Sequence, residues 1–161
     1  MSRFITLLAA ILAWVFILSA PALALDRLPQ ARNFKADGQD AAARKIPIMV
    51  LFSSPDCHFC HRVKNEYLLP MLKDPAYKDK VVIREVEAGS QNPLTLFDGR
   101  KGTEGAFAVE NKVFMVPTIK VFDAQGREVS DAIVGLLTPD YYFAYIDGAI
   151  EEGIAKIRGK K

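Results

Sequence analysis

The sequence predicts an α/β domain: a central mixed sheet, with parallel strands followed by a C-terminal hairpin, and helices on both faces. Three observations carry that expectation. The apolar run at 46–52, the β-branched stretch at 81–87 and the alternating stretch at 117–122 read as strands. Helix-compatible stretches lie between them, the alternation that builds parallel crossovers. Asp123-Ala124-Gln125-Gly126 then turns the chain back on itself, which adds an antiparallel pair.

Each element has its own local reason. Asp37 to Lys45 holds Ala41, Ala42, Ala43 and Arg44, all good helix formers. Ile46 to Phe52 is almost continuously apolar, as suits a strand buried on both faces. Ser53-Ser54-Pro55-Asp56 breaks that run and offers capping oxygens to a helix from Cys57 to about Leu72, where Pro70 is expected to kink or end a turn. Val81 to Glu87 is the next strand. Ala88 to Gly102 carries Gly89, Ser90, Asn92, Pro93, Asp98 and Gly99, so a long loop is expected. Thr103 to Asn111 is expected to be helical, capped by Thr103 or one of its neighbours. Pro117 to Phe122 is a strand, and Glu128 to Val134 returns antiparallel. Thr138-Pro139 opens the last helix. Tyr142, Tyr145, Ile146, Ala149, Ile150 and Ile154 fall at helical spacing and predict its buried stripe.

Residues 1–24 are expected to be an export signal. Arg3 gives a positive start, Phe4 to Leu18 is apolar apart from Thr6, and Ala22-Leu23-Ala24 supplies the small residues of a cleavage site. The apolar run falls short of the ~20 residues that span a bilayer, so cleavage is expected rather than anchoring. Residues 25–36 are then a lead-in of undefined structure, and 37–161 a single folded domain. Net charge is only +2, with acids and bases mixed along the chain, so no nucleic-acid partner is expected. Export implies a periplasmic, oxidising compartment in which disulfides persist.

The chemistry centres on Cys57-His58-Phe59-Cys60, which holds both cysteines of the chain. A bridge across two intervening residues closes a tiny loop and constrains the unfolded chain weakly, so a chemical role outweighs a stapling one. At a helix N-terminus, outward-pointing N–H groups and the helix dipole favour the thiolate of Cys57. Cys57 is therefore the expected nucleophile, and Cys60 the thiol that resolves the mixed disulfide. The only histidines, His58 and His61, sit in or beside the motif. A protonated imidazole there stabilises the thiolate, so both are candidate tuning groups. Phe59 is expected to offer partners an apolar surface. Two rival chemistries remain open. Cys57-x-x-Cys60-His61 also spells a c-type haem attachment site, with His58, Met49, Met71 or Met115 as the sixth ligand. The same Cys and His residues offer soft ligands to a metal, but zinc normally needs a second ligand pair and the chain has no further Cys or His. No metal and no organic cofactor are expected.

Strand, Cys-x-x-Cys, helix, and then Val116-Pro117-Thr118 before a later strand resemble the thioredoxin superfamily over nearly all of 37–157. The resemblance implies that Pro117 is a cis-proline lying against the sulfurs, and that Val116 offers main-chain hydrogen bonds to a substrate chain. Phe97-Asp98-Gly99, Val116-Pro117-Thr118 and Asp123-Ala124-Gln125-Gly126-Arg127 are similar, more narrowly, to exported thioredoxin-like proteins associated with sulfur-oxidation systems. Departures are visible as well. Asp56 stands where thioredoxin has Trp, His58-Phe59 replaces Gly-Pro, and Leu51 stands where thioredoxin has a buried acid. A proton acceptor for the resolving thiol then comes from elsewhere, Glu87 or water, or is absent. The implied activity is thiol–disulfide exchange with exported proteins, leaning to reductase, with thiol oxidant and haem protein as alternatives. Electrons would come from a membrane or periplasmic donor, and a monomer is expected.

Overall fold

The computed structural model describes residues 26–159. The expected export signal lies outside them. Among the described residues, no helix is long and apolar enough to cross a membrane.

Before the first helix, the chain runs as an arm along one sheet edge. The Ala31 N–H donates to the Glu85 carbonyl at 2.8 Å, and the Glu85 N–H donates to the Pro29 carbonyl at 2.9 Å. The lead-in thus acquires its structure by pairing with residues far along the chain. Helix α1 (Phe34–Arg44) begins three residues earlier than composition suggests, because Asn33 caps it: its side chain accepts from the Ala36 N–H at 3.1 Å. It ends at Lys45, whose left-handed φ of 54° returns its N–H to the Ala41 and Ala42 carbonyls.

Strand β1 (Ile48–Ser53) is buried throughout. Its alternation divides the core in two. Ile48, Val50 and Phe52 face one side, where Phe34, Phe107 and Phe122 gather. Met49 and Leu51 face the other, against Leu68, Met71, Tyr142, Ile146 and Ile150. Helix α2 (His58–Arg62) follows, then a π-helical segment (Val63–Leu68), and then α3 (Leu69–Lys73). The helix therefore passes through Pro70 instead of breaking there. The Leu69 N–H reaches back five residues to the Lys64 carbonyl. That widened turn makes room for a ring that would otherwise press on the preceding turn, and Pro70 has no N–H to satisfy.

A short helix α4 (Pro75–Lys78) leads to β2 (Val82–Glu87). The expected long loop is partly wrong: it contains a small antiparallel hairpin, β3 (Pro93–Thr95) and β4 (Lys101–Thr103). Three-residue strands leave too little alternation to read among turn residues. Helix α5 (Glu104–Glu110) has the expected Thr103 cap, whose hydroxyl accepts from the Ala106 N–H at 3.2 Å. Strands β5 (Thr118–Phe122) and β6 (Ile133–Val134) and helix α6 (Pro139–Ile157) complete the fold.

The main sheet has the order β2-β1-β5-β6. β1 pairs parallel with β2 and antiparallel with β5, and β6 returns antiparallel to β5. The α/β expectation of a mixed sheet covered by helices on both faces is met. The return strand is much shorter than expected. Phe122 bridges Glu128, while Ile119 faces Ile133, so the returning chain carries two extra residues across that interval. They bulge out of the ladder around Ser130 to Ala132 and leave a two-residue strand. The α6 stripe also needs one correction. Tyr145 is 53% exposed, and Gly153 takes a buried place instead. With no side chain, Gly153 lets Val129, Val121 and Pro47 pack against the helix backbone.

Candidate functional site

β1 delivers the chain to the end of the sheet at Ser53, and the dithiol turn follows four residues later. Cys57 is the N-cap of α2, with extended backbone at φ −91° and ψ 104°. Its sulfur accepts from the Cys60 N–H at 3.1 Å. That contact is the capping bond a Ser or Asp would make, supplied here by sulfur. Cys57 and Cys60 are joined as a disulfide. Cys60 is fully buried, whereas Cys57 is partly exposed. An incoming group therefore meets Cys57 first, and the helix N-terminus stabilises the charge that develops on that sulfur.

The histidines diverge. His58 is exposed and lies edge-on to Phe59, with ring centroids 5.8 Å apart. His61 turns toward the preceding loop, where its Nε2 lies 2.8 Å from the Pro55 carbonyl. Because a carbonyl only accepts, Nε2 carries the proton in that contact. Phe59 is 54% exposed.

The Val116–Pro117 peptide bond is cis. Thr118 faces Phe52 across β1 and β5, so Pro117 lies at the same sheet end as Ser53 and the dithiol turn. The turn is braced on both sides: the Thr118 hydroxyl donates to the Met115 carbonyl at 2.7 Å, and the Gly135 N–H donates to the Pro117 carbonyl at 2.8 Å. Among the described residues, neither main-chain group of Val116 pairs with another backbone group outside the regular elements.

Sequence reasoning missed two features. The first is apolar. Phe114 (93% exposed), Met115, Leu137 and Tyr141 are exposed around this end, together with Phe59 and Val134. Topology gathers them. Val134 faces Thr118, and the Tyr67 hydroxyl donates to the Pro139 carbonyl, which brings the start of α6 beside the helix that carries the cysteines. The second is polar. Leu51 faces Glu85 across β1 and β2, and Glu85 is 6% exposed, whereas Glu87 is only half-buried. The buried carboxylate on this side of the sheet thus stands on the strand next to Leu51. A signal for it existed in the sequence: Glu85 is an acid on the strand beside the one that carries Leu51. Among the described residues, no three His, Cys, Asp or Glu side chains converge as a metal site. The all-helical architecture that suits a small haem protein is not the one this chain adopts.

The thioredoxin-like domain family matches residues 34–150, and the chain belongs to that family. No curated protein matches the sequence. Among solved structures, DsbH oxidoreductase is similar at a TM-score of 0.53, with 16% identity over 84% of this chain and 92% of that one. Thioredoxin from Malassezia sympodialis follows at 0.52, with 19% identity over 80% and 95%. Oxidised mitochondrial thioredoxin 3 from Saccharomyces cerevisiae stands at 0.50, with 15% identity over 78% and 94%. At such identities the likeness defines the fold, a thioredoxin fold.

Proposed function

We propose that this chain is an exported thiol–disulfide oxidoreductase that exchanges disulfides with other exported proteins, chiefly as a reductase. One observation carries the reading: a partly exposed Cys57 at a helix N-terminus, bonded to a buried Cys60. In the reducing direction, the Cys57 thiolate attacks one sulfur of a partner disulfide. That bond breaks, a mixed disulfide forms, and the partner's other sulfur leaves as a thiolate that takes up a proton. Cys60, on losing its proton, attacks the Cys57 sulfur, and the partner's second sulfur leaves. Two electrons have then passed to the partner, and the Cys57–Cys60 disulfide remains. A dithiol donor must re-reduce it, a membrane or periplasmic protein in this reading.

Val116 and Pro117 form the rest of the site. The unpaired main-chain groups of Val116 suit an extended partner segment, whose N–H and C=O need partners of their own. The apolar rim of Phe59, Phe114, Met115 and Leu137 suits a protein substrate better than a small polar thiol. Periplasmic localisation rests on the pattern of residues 1–24. The mass of the protein from a periplasmic extract, set against cleavage after Ala24, checks it. The reductase lean rests on the resemblance to exported proteins of sulfur-oxidation systems. The opposite reading, a thiol oxidant, draws on His58 beside Cys57.

Insulin-disulfide reduction tests the roles. Cys57→Ser is expected to abolish turnover, and Cys60→Ser to accumulate mixed disulfides. Equal residual turnover in both variants would overturn the assignment. Equilibration against glutathione decides direction: a potential near ~−270 mV supports the reductase and one near ~−120 mV the oxidant.

A further inference from the structure

We propose that Glu85 is a positioning residue for the dithiol turn, gripping both ends of that turn and itself held by the N-terminal arm. Its Oε1 accepts from the Ser53 hydroxyl at 2.5 Å and from the Lys64 ammonium at 3.0 Å. Ser53 closes β1, four residues before Cys57, and Lys64 lies four residues after Cys60. The chain entering the turn and the chain leaving it therefore end on a single carboxylate oxygen. The other oxygen accepts from the Gln30 amide at 2.8 Å. Gln30 sits in the arm that pairs with the backbone of Glu85 itself.

Burial gives the arrangement its force. A carboxylate that is 6% exposed cannot exchange these partners for water without reorganising the site. Glu85 and Lys64 share a cleft of about 460 Å³ with Asp26, Arg27, His61 and Glu87, while Asp56 and His58 are the exposed sequence neighbours of Cys57. Seven residues of helix, at ~1.5 Å each, set Lys64 roughly 10 Å along the backbone from Cys57. A net charge left unbalanced at that range shifts a thiol titration by about 0.3 to 1 pH unit. The pair thus fixes the turn while adding no net charge beneath it.

The proposal rests on Cys57 being an exchanging thiol, so insulin reduction by the unaltered protein is measured alongside. The decisive measurement is the ultraviolet titration of the Cys57 thiolate in the reduced protein. Glu85→Gln leaves the Lys64 ammonium unpaired and is expected to lower the Cys57 midpoint. Lys64→Met leaves the carboxylate unpaired and is expected to raise it. The double variant is expected to return toward the starting value. Singles that leave the midpoint where it was, or that move it in one direction together, overturn the proposal, even if both lower the melting temperature. Should Glu85→Gln fail to fold, Lys64→Met alone still decides, because its midpoint must rise. If the unaltered protein reduces insulin and the variants titrate normally, only the network is wrong. If it exchanges no disulfides at all, the functional reading fails first.

Discussion

Reducing the Cys57–Cys60 bond is expected to cost the fold less than about 2 kcal/mol. The loop runs from Cys57 to Cys60, a sequence separation of 3. Closing so short a loop removes about 6 cal/mol/K from the unfolded chain, or about 1.9 kcal/mol at 25 °C. A loop of ~100 residues would give about 4.7 kcal/mol. The folded protein then recovers part of that loss. Once reduced, Cys57 still caps α2 and still accepts from the Cys60 N–H, and a thiolate there gains about 0.3–1 kcal/mol from the helix N-terminus. The net gap should be about 1–1.6 kcal/mol in favour of the oxidised form. The thermodynamic cycle equates that gap with a disulfide potential about 20–35 mV lower in the folded chain than in the unfolded one. Urea unfolding of both forms measures it directly: at a slope of about 1–3 kcal/mol/M, the midpoints should lie within ~1.5 M of each other. A gap of about 4 kcal/mol or more would show a structural staple and refute the assignment of the pair to chemistry. A reduced form more stable than the oxidised one would instead mark a strong oxidant, as stabilisation of the reduced state does in general.

Three further outcomes follow from particular contacts. Phe114→Ser is expected to lower kcat/KM for a protein disulfide while leaving the melting temperature within error, since the side chain is 93% exposed; an unchanged rate would remove Phe114 from the partner surface. Gly126→Ala should destabilise by about 1–3 kcal/mol in urea, because φ is +81° and the new Cβ would lie 2.6 Å from the Phe97 ring. Burial pushes the Glu104 carboxyl above its ordinary value of 4.5, against hydrogen bonds from Asn92 and Ser90 that pull it down. A raised folded value means that the native state is favoured when this group is protonated and loses that advantage as pH rises through it. The stability of the natural protein relative to Glu104→Gln should therefore grow as pH falls from 7 toward 4.5, and a pH-independent difference would contradict the burial argument.

Where local chemistry was decisive, the reading of the chain holds closely. The Thr103 cap, the Asp123 to Gly126 turn and the buried run of β1 each depend on residues a few positions apart, and each forms as expected. The misses have separate origins. α1 starts early because Asn33 outcompetes composition as a cap. The helix survives Pro70 because a π turn absorbs the ring. Tyr145 lies exposed, and Gly153 is buried in the helix stripe instead. The first two are local, but they rest on cap and turn geometry that periodicity does not encode.

The order of residues by itself determined the disulfide pair: one pair of cysteines, spaced for a first helical turn, after an apolar strand. That is a local arrangement, and spacing along the chain fixes it. Tertiary structure alone decided what surrounds the sulfurs. Glu85, Lys64, Ser53 and Gln30 meet only because β2 lies parallel to β1 and the arm runs along its edge. Phe114 and Leu137 frame the same end only because β5 and β6 pair there. The physical reason is reach: a helix turn or cap closes over three or four residues, whereas these contacts join segments tens of residues apart, and only the packed sheet sets that distance.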